Sequence, residues 1–266
     1  MTFPFQEHNM KYAIISDVHA NPTALVKVLA DAARYGVEKV ICAGDVVGYG
    51  PDPVGAIRIL RERGVTVVMG NHDAAVAGWR DTGDMIFHAR DTDAMHHDEL
   101  CADDLAWLGS LPYVYADDNI AVAHANFVNP EMMEYIYDQV DARHSLVYRD
   151  ERMLFVGHTH LEALFALNFA PCNSNPAVHH IDCRQVEPRD FRTVGEWRYL
   201  VNVGTVGFPR VKDYSSYALY DSATGDLLFR RLAFDFAGYV SALRAKSRFV
   251  PDWLASCAFN KDGGKE

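Results

Sequence analysis

The sequence predicts an α/β fold built on a parallel sheet, with a second sheet packed against it. Three observations carry this expectation. Over the first 70 or so residues, short apolar runs alternate with amphipathic helical stretches, the pattern of right-handed βαβ units. From Leu161 onward, strand-like runs dominate. Between them, Asp, Asn or His stands at the exit of one apolar run after another, where open α/β sheets gather their functional groups.

Lys11 to Ser16 reads as a first buried strand with Asp17-Val18-His19 at its exit. In extended backbone residues i and i+2 point the same way, so Asp17 and His19 are expected to converge while Val18 turns to the core. Asn21 and Pro22 have the chemistry of an N-cap and a first helical position. The stripe Leu25, Val28, Leu29, Ala32 follows, and Gly36 ends the helix. Val37 to Ala43 forms the second strand and delivers Asp45 between glycines; Pro53 to Arg63 forms the second helix; Val65 to Met69 leads into Gly70-Asn71-His72-Asp73.

The segment 74–110 is polar and mostly helical in pattern, a cap-like insertion. Its His88, His96 and His97 abut no buried strand and read as solvated surface. Tyr113–Tyr115 and Ile120–Ala123 pair around Asp117-Asp118-Asn119 and end at His124. A mixed stretch, helical near Ala142–Tyr148, precedes the strand Met153–Val156 and Gly157-His158-Thr159-His160. Further strands are expected at 163–168, 178–183, 196–203, 216–221 and 226–233, then a helix capped by Asp235 and a frayed tail, 251–266. Residues 10–250 read as one domain.

Composition narrows the function. The net charge of -11 gives no basic field for long nucleic acid or an anionic membrane surface, so phosphate must be met by local cations. No apolar stretch reaches transmembrane length, and five scattered cysteines fit reduced thiols and a cytoplasmic setting.

Carboxylates, an amide and imidazoles together suit manganese, iron, nickel, cobalt or zinc better than calcium or structural zinc. Asp17, His19 and His160 would hold one divalent ion, Asn71, His124 and His158 a second, and Asp45 would bridge them. Two such ions roughly 3.5–4 Å apart acidify a shared water and bind phosphoryl oxygens, which implies in-line attack on a phosphate ester. His72 is placed to protonate the leaving oxygen, with Asp73 either holding its ring or serving as the N-cap of the next helix. Trp79, Phe127 and Tyr135 are candidate stacking partners for a base. Cys183 to Arg189 has the Cys-x5-Arg spacing of cysteine phosphatases, but Glu187 and Pro188 spoil the phosphate loop that chemistry needs.

The order Asp-x-His, Gly-Asp, Gly-Asn-His-Asp, His, Gly-His-x-His resembles that of the calcineurin-like metallophosphoesterases. Asp17 to Asn21, Gly44 to Pro51 and Asn202 to Arg210 look like their bacterial YfcE-like or diadenosine-tetraphosphatase-like branch. The resemblance implies a four-layer αββα sandwich, a dinuclear site acting on a small phosphate monoester or diester, His72 as general acid, and Arg210 beside Asn71 as a phosphate contact. It also admits a non-catalytic metal-binding scaffold or interaction module on the same fold. The segment 171–192 departs from the branch in being longer and more polar.

Overall fold

The computed structural model describes residues 9–172, 175–195, 197–210, 213–246 and 248–259. The elements run β1 (Lys11–Ile15), α1 (Pro22–Ala33), β2 (Lys39–Cys42), α2 (Pro53–Glu62), β3 (Thr66–Val67), α3 (Asn71–Val76), α4 (Phe87–Glu99), α5 (Ala102–Gly109), β4 (Val114–Ala116), β5 (Ile120–Ala123), α6 (Gln139–Tyr148) and β6 (Met153–Val156). Then come β7 (Glu162–Cys172), β8 (Asn175–Val186), β9 (Phe191–Arg192), β10 (Arg198–Val203), β11 (Tyr214–Asp221), β12 (Asp226–Ala233), α7 (Phe236–Ala245) and α8 (Asp252–Phe259).

Two six-stranded sheets result, ordered β3-β2-β1-β11-β12-β9 and β4-β5-β6-β10-β7-β8. β1, β2 and β3 are mutually parallel, as are β5, β6 and β10, while the later strands join antiparallel. The alternation along β1 explains why its run is apolar throughout. Ile14 faces Phe155, Val201 and Ala218 in the layer between the sheets, whereas Ala13 and Ile15 face Leu25, Ile57 and Leu243 under the helices. Ala142 and Leu146 of α6 close the second sheet's far side with Phe127 and Phe165. This is the expected four-layer αββα sandwich.

Helix boundaries follow local chemistry. Asn21, Asp52, Asp138 and Asp235 each accept a backbone N–H at the start of their helices. The expected fray at 251–266 is corrected in part: Asp252–Phe259 is helical, and Leu254 is fully buried in the core beneath α7. No helix among the described residues is long and apolar enough to cross a membrane.

The segment 171–192 falls largely in the long β7–β8 hairpin; the side chains of Cys172, His179 and His180 lie outside the described residues. Cys183 sits within β8 opposite Leu167, so the residues after it to Val186 are extended strand rather than a loop around a thiolate. Burial raises its thiol pKa, the opposite of activation.

Candidate metal centre

The polar clusters gather at the carboxyl ends of β1, β2, β5 and β6, where the two sheets meet. The convergence of Asp17 and His19 does not arise from extended backbone. β1 stops at Ile15, and Asp17 and His19 are left-handed at φ 53° and 46°. Asp45, His158 and His160 are left-handed too, at 53°, 67° and 62°. Non-glycine residues there carry strain of order 1–3 kcal/mol each, held by surrounding structure. The loop 202–209 does much of the holding. Val206 and Gly207 donate to the Ser16 and Asp17 carbonyls, Thr205 Oγ1 donates to Asp17 O, and Asn202 Nδ2 donates to Gly157 O.

Space is as tight as the hydrogen bonding. A Cβ on Gly157 would stand 1.9 Å from Ser16 Oγ and 2.4 Å from Asp17 Oδ2. Gly157→Ala is therefore expected to destabilise the chain by about 1–3 kcal/mol, as an overpacked core position does. Urea unfolding checks this, and an unchanged midpoint would refute the crowding.

Three imidazoles have their tautomer fixed. Nδ1–H donates to Val47 O from His19 (2.9 Å), to Ala43 O from His124 (2.7 Å) and to Phe208 O from His160 (2.8 Å). A carbonyl only accepts, so the proton lies on Nδ1 and the Nε2 lone pair points inward. His19 Nε2 and His160 Nε2 then face each other at 3.0 Å, with Asp17 Oδ1 3.2 Å from the latter. His124 Nε2 lies 3.0 Å from His158 Nδ1, 3.1 Å from Asn71 Oδ1 and 3.3 Å from Asp45 Oδ2. Asp45 Oδ2 is also 3.7 Å from His19 Nε2, so it stands between the groups.

Lone pairs aimed at one another repel unless a cation lies among them. Asp17 Oδ1 and His158 Nε2 are buried without hydrogen-bond partners, and Asp17, Asp45 and Asp73 are almost wholly inaccessible. Asp17, His19 and His160 form one cluster able to hold a metal ion, and Asp45, His124 and His158 another. The donor set, mixed oxygen and imidazole nitrogen, fits divalent first-row ions.

The charges divide the imidazoles into two kinds. Burial pushes the Asp45 carboxyl up, but the imidazoles of His124 and His72 outweigh it and hold Asp45 low; Asp17 is likewise low, against its burial, through His160. Burial pushes His19 down to about 4 and His158 well down, which keeps their lone pairs free. His124 is opposed by burial yet held at about 9 by Asp45, so its Nε2 holds a proton toward Asp45 that a bound cation would replace.

The His72–Asp73 expectation is corrected. Asp73 sits at the third position of α3, and side chains there point back toward the helix start. Its Oδ2 accepts from Gly70 N and its Oδ1 from Val46 and Val47 N, tying the Asp45 loop to α3. Burial and the Asp45 charge raise Asp73 to about 7. The ring of His72 is held instead by Asp93 of α4, whose oxygens lie 2.7 and 3.0 Å from Nδ1, leaving Nε2 for the cleft. Burial opposes protonation of His72, but Asp93 and Asp45 prevail and bring it to about 9.

His96 is not surface either. It is fully buried, accepts from Gly48 N at Nδ1 and donates from Nε2 to Gly50 O, while Thr92 Oγ1 accepts from Tyr49 N. The signal was present in the sequence: Ala89, Thr92, Asp93 and His96 recur at helical spacing as a buried face that is small and polar. His97 is exposed and His88 half-buried.

Asp93→Asn keeps an acceptor for Nδ1–H and removes the charge that raises His72. The His72 imidazole is therefore expected to lose its proton at lower pH in this variant, which NMR titration of the ring checks; an unmoved titration would separate Asp93 from the charge of His72.

A cleft of about 330 Å³ opens over the cluster, lined by Asp45, Asn71, His72, His158, His160, Tyr49, Tyr135 and Arg210 among others. Arg210 is exposed at its edge, its guanidinium 5.8 Å from the Tyr49 ring centre. Of the candidate stacking aromatics, Tyr135 lines this cleft, Phe127 is buried core, and Trp79 is exposed outside the cleft lining. A larger cavity, about 540 Å³ beside α1 and α7, has Asn21, Asp52 and Asp235 in its wall, each already capping a helix.

Fold and donor set together define a two-sheet α/β protein with paired candidate metal clusters at parallel strand ends. A family model described as the calcineurin-like phosphoesterase superfamily domain matches residues 10–225, and the chain belongs to that superfamily. It is a phosphoester hydrolase of that class. The chain is similar to a metallophosphoesterase of Sphaerobacter thermophilus, with 29% identity and a TM-score of 0.73 over 94% of this chain and 98% of that one. Protein MJ0912 of Methanocaldococcus jannaschii is 28% identical over 253 residues, 93% of this chain and 96% of its own length. PH1004 of Pyrococcus horikoshii shares the fold at 17% identity and a TM-score of 0.70, over 93% of this chain and 97% of that one.

Proposed function

We propose that this chain hydrolyses a small phosphate monoester or diester with two divalent ions. Asp17, His19 and His160 would surround one ion, Asn71, His124 and His158 the other, and Asp45 would face both. The observation carrying this reading is the pair of converging lone-pair clusters beside an imidazole held by its own carboxylate. When bound, the ions would supply Lewis-acid stabilisation of the phosphoryl group and an acidified water.

The chain's own residues do the rest. His72 carries its proton on the cleft side and gives it to the leaving oxygen, with Asp93 fixing the ring and keeping it charged at neutral pH. Asn71 and Arg210 are the contacts assigned to the ester's phosphate, and Tyr49 stacked on Phe208 at 4.5 Å backs the cleft with apolar surface. Asp73 becomes a positioning residue for the Asp45 loop. Residues 10–250 act as one unit, with the helices of 74–110 as a cap whose Met85, Ile86 and Ala89 border the cleft. Cys42, Cys101 and Cys183 are free thiols, which supports a cytoplasmic setting.

The test is hydrolysis of a chromogenic phosphomonoester and phosphodiester by chelator-stripped protein, with manganese, iron, nickel, cobalt or zinc returned singly. Rate restored by at least one added ion is expected. Full activity in the stripped protein, or no rate with any ion, would overturn the reading.

A further inference from the structure

We infer that Tyr135 is a positioning residue for His158, holding that imidazole by its flat face where the other imidazoles assigned to the ions are held by a carbonyl. This rests on the reading above, in which His158 is a metal donor. His19, His124 and His160 each anchor Nδ1 on a backbone oxygen, that of Val47, Ala43 and Phe208 respectively. His158 is turned the other way. Its Nδ1 faces the cluster, 3.0 Å from His124 Nε2, and its Nε2 is buried without a hydrogen-bond partner among the described residues. A donor imidazole ordinarily gives its second nitrogen to a carbonyl or carboxylate, which orients the ring and whose loss costs about 10–100-fold in metal affinity. Another contact has to orient His158.

Tyr135, in the lining of the cleft, makes that contact by stacking. The two ring centres are 3.9 Å apart, with planes within 20°. Rings around His19 meet otherwise, edge to face at 70° with Tyr49 and 90° with His72. Tyr137 lies on Tyr135 in turn, at 5.0 Å and 13°. Two rings that near and that parallel would collide on one face, so Tyr135 stands between His158 and Tyr137 and both its faces are taken. Coordination draws electron density out of an imidazole, and the negative face of a phenol ring favours a neighbour polarised in that sense.

The backbone keeps this stack in place. Ile136, between the two tyrosines, is buried with Phe127 and Leu146 on the second sheet's far side, and Met133 is buried ahead of it. Asn126 Nδ2 donates to Glu134 O, and Tyr137 N donates to Asp141. The stack bears on the ion assigned to Asn71, His124 and His158. The ion assigned to Asp17, His19 and His160 is independent of it, since His160 is held by Phe208 O with the Phe208 ring edge-on at 80°.

Titration of chelator-stripped protein with zinc, with uptake followed by calorimetry and the imidazole rings by NMR, tests the assignment. The native chain is expected to take up two ions. Tyr135→Leu keeps apolar bulk without a ring face, and should weaken one step by about 10–100-fold. The His124 and His158 signals should move with that step, while those of His19 and His160 move as in the native chain. Tyr135→Phe keeps the face and should keep both steps. Two unmoved steps in Tyr135→Leu, both steps weakened alike, or a loss in Tyr135→Phe equal to that in Tyr135→Leu would overturn the inference. A native chain that takes up a single ion would overturn the two-ion reading and the inference with it. Two ions bound, one of them weakened by Tyr135→Leu, and no hydrolysis of any ester would instead sink the phosphoesterase reading and leave Tyr135 in its role.

Discussion

Asp45→Asn is expected to lower kcat/KM by about 10³-fold and to weaken the binding of both ions. Among the described residues, its Oδ2 is the carboxylate oxygen that lies within 3.7 Å of Nε2 atoms from both clusters, so the substitution removes charge from each. Lewis-acid stabilisation of the phosphoryl group is worth several kcal/mol, and each 1.36 kcal/mol is a factor of ten in rate. Asparagine keeps an oxygen that can accept from His72 N, as Oδ1 does at 3.0 Å, so the loop geometry should survive. A second readout separates metal loss from misfolding. Without metal, Asp45 is a carboxylate held low, against its burial, by the His124 and His72 imidazoles, so removing it leaves them without their counter-charge and should lower the metal-free Tm. The rise in Tm on adding metal should shrink, since stabilisation by a ligand follows its affinity for the native state. Unaltered metal stoichiometry, or a rate within tenfold of the native chain, would refute Asp45 as the shared donor.

The sequence made the first half of the fold legible because its signals are local. β1 to α2 are marked by apolar runs, Asn21-Pro22 and Asp52-Pro53 caps, and glycine stops, and the observed boundaries follow these. The gathering of Asp17, His19, Asp45, His124, His158 and His160 was legible for a related reason: Asp or His straight after a buried strand has few structural explanations. The path by which they meet was not, because left-handed φ at Asp17 and His19 is imposed by the distant loop 202–209. Asp93 and His96 were hidden by a general weakness of pattern reading. α4 buries polar groups against the polar backbone of Gly48 to Gly50, so its inward face looks like a solvated one. The same reasoning misplaced Asp73: adjacency in sequence suggested a partner for His72, whereas helical geometry turns neighbouring side chains about 100° apart. The helix at 252–259 was missed because Leu254, the buried side chain among the described residues of this short tail, gives no periodicity to read.

His72→Asn should divide substrates by the basicity of their leaving groups. A general acid contributes about 10²–10⁴-fold where the departing oxygen needs a proton, and little where it leaves readily as an anion. An alkyl phosphate ester is therefore expected to lose about that factor in kcat, while a p-nitrophenyl ester loses far less. Metal content should stay native, since Nδ1 of His72 is taken up by Asp93 and its backbone N–H serves Asp45 Oδ1, a contact asparagine retains. The pH profile supplies the sign. With Asp93 and Asp45 holding His72 protonated up to about 9, the native rate on the alkyl ester should fall as pH rises through the value at which that proton is lost. In His72→Asn the alkaline limb should vanish for the alkyl ester, leaving a low and flatter rate. Equal losses on both esters would point to a role in binding or in shaping the cluster, and no loss on either would remove His72 from the chemistry altogether.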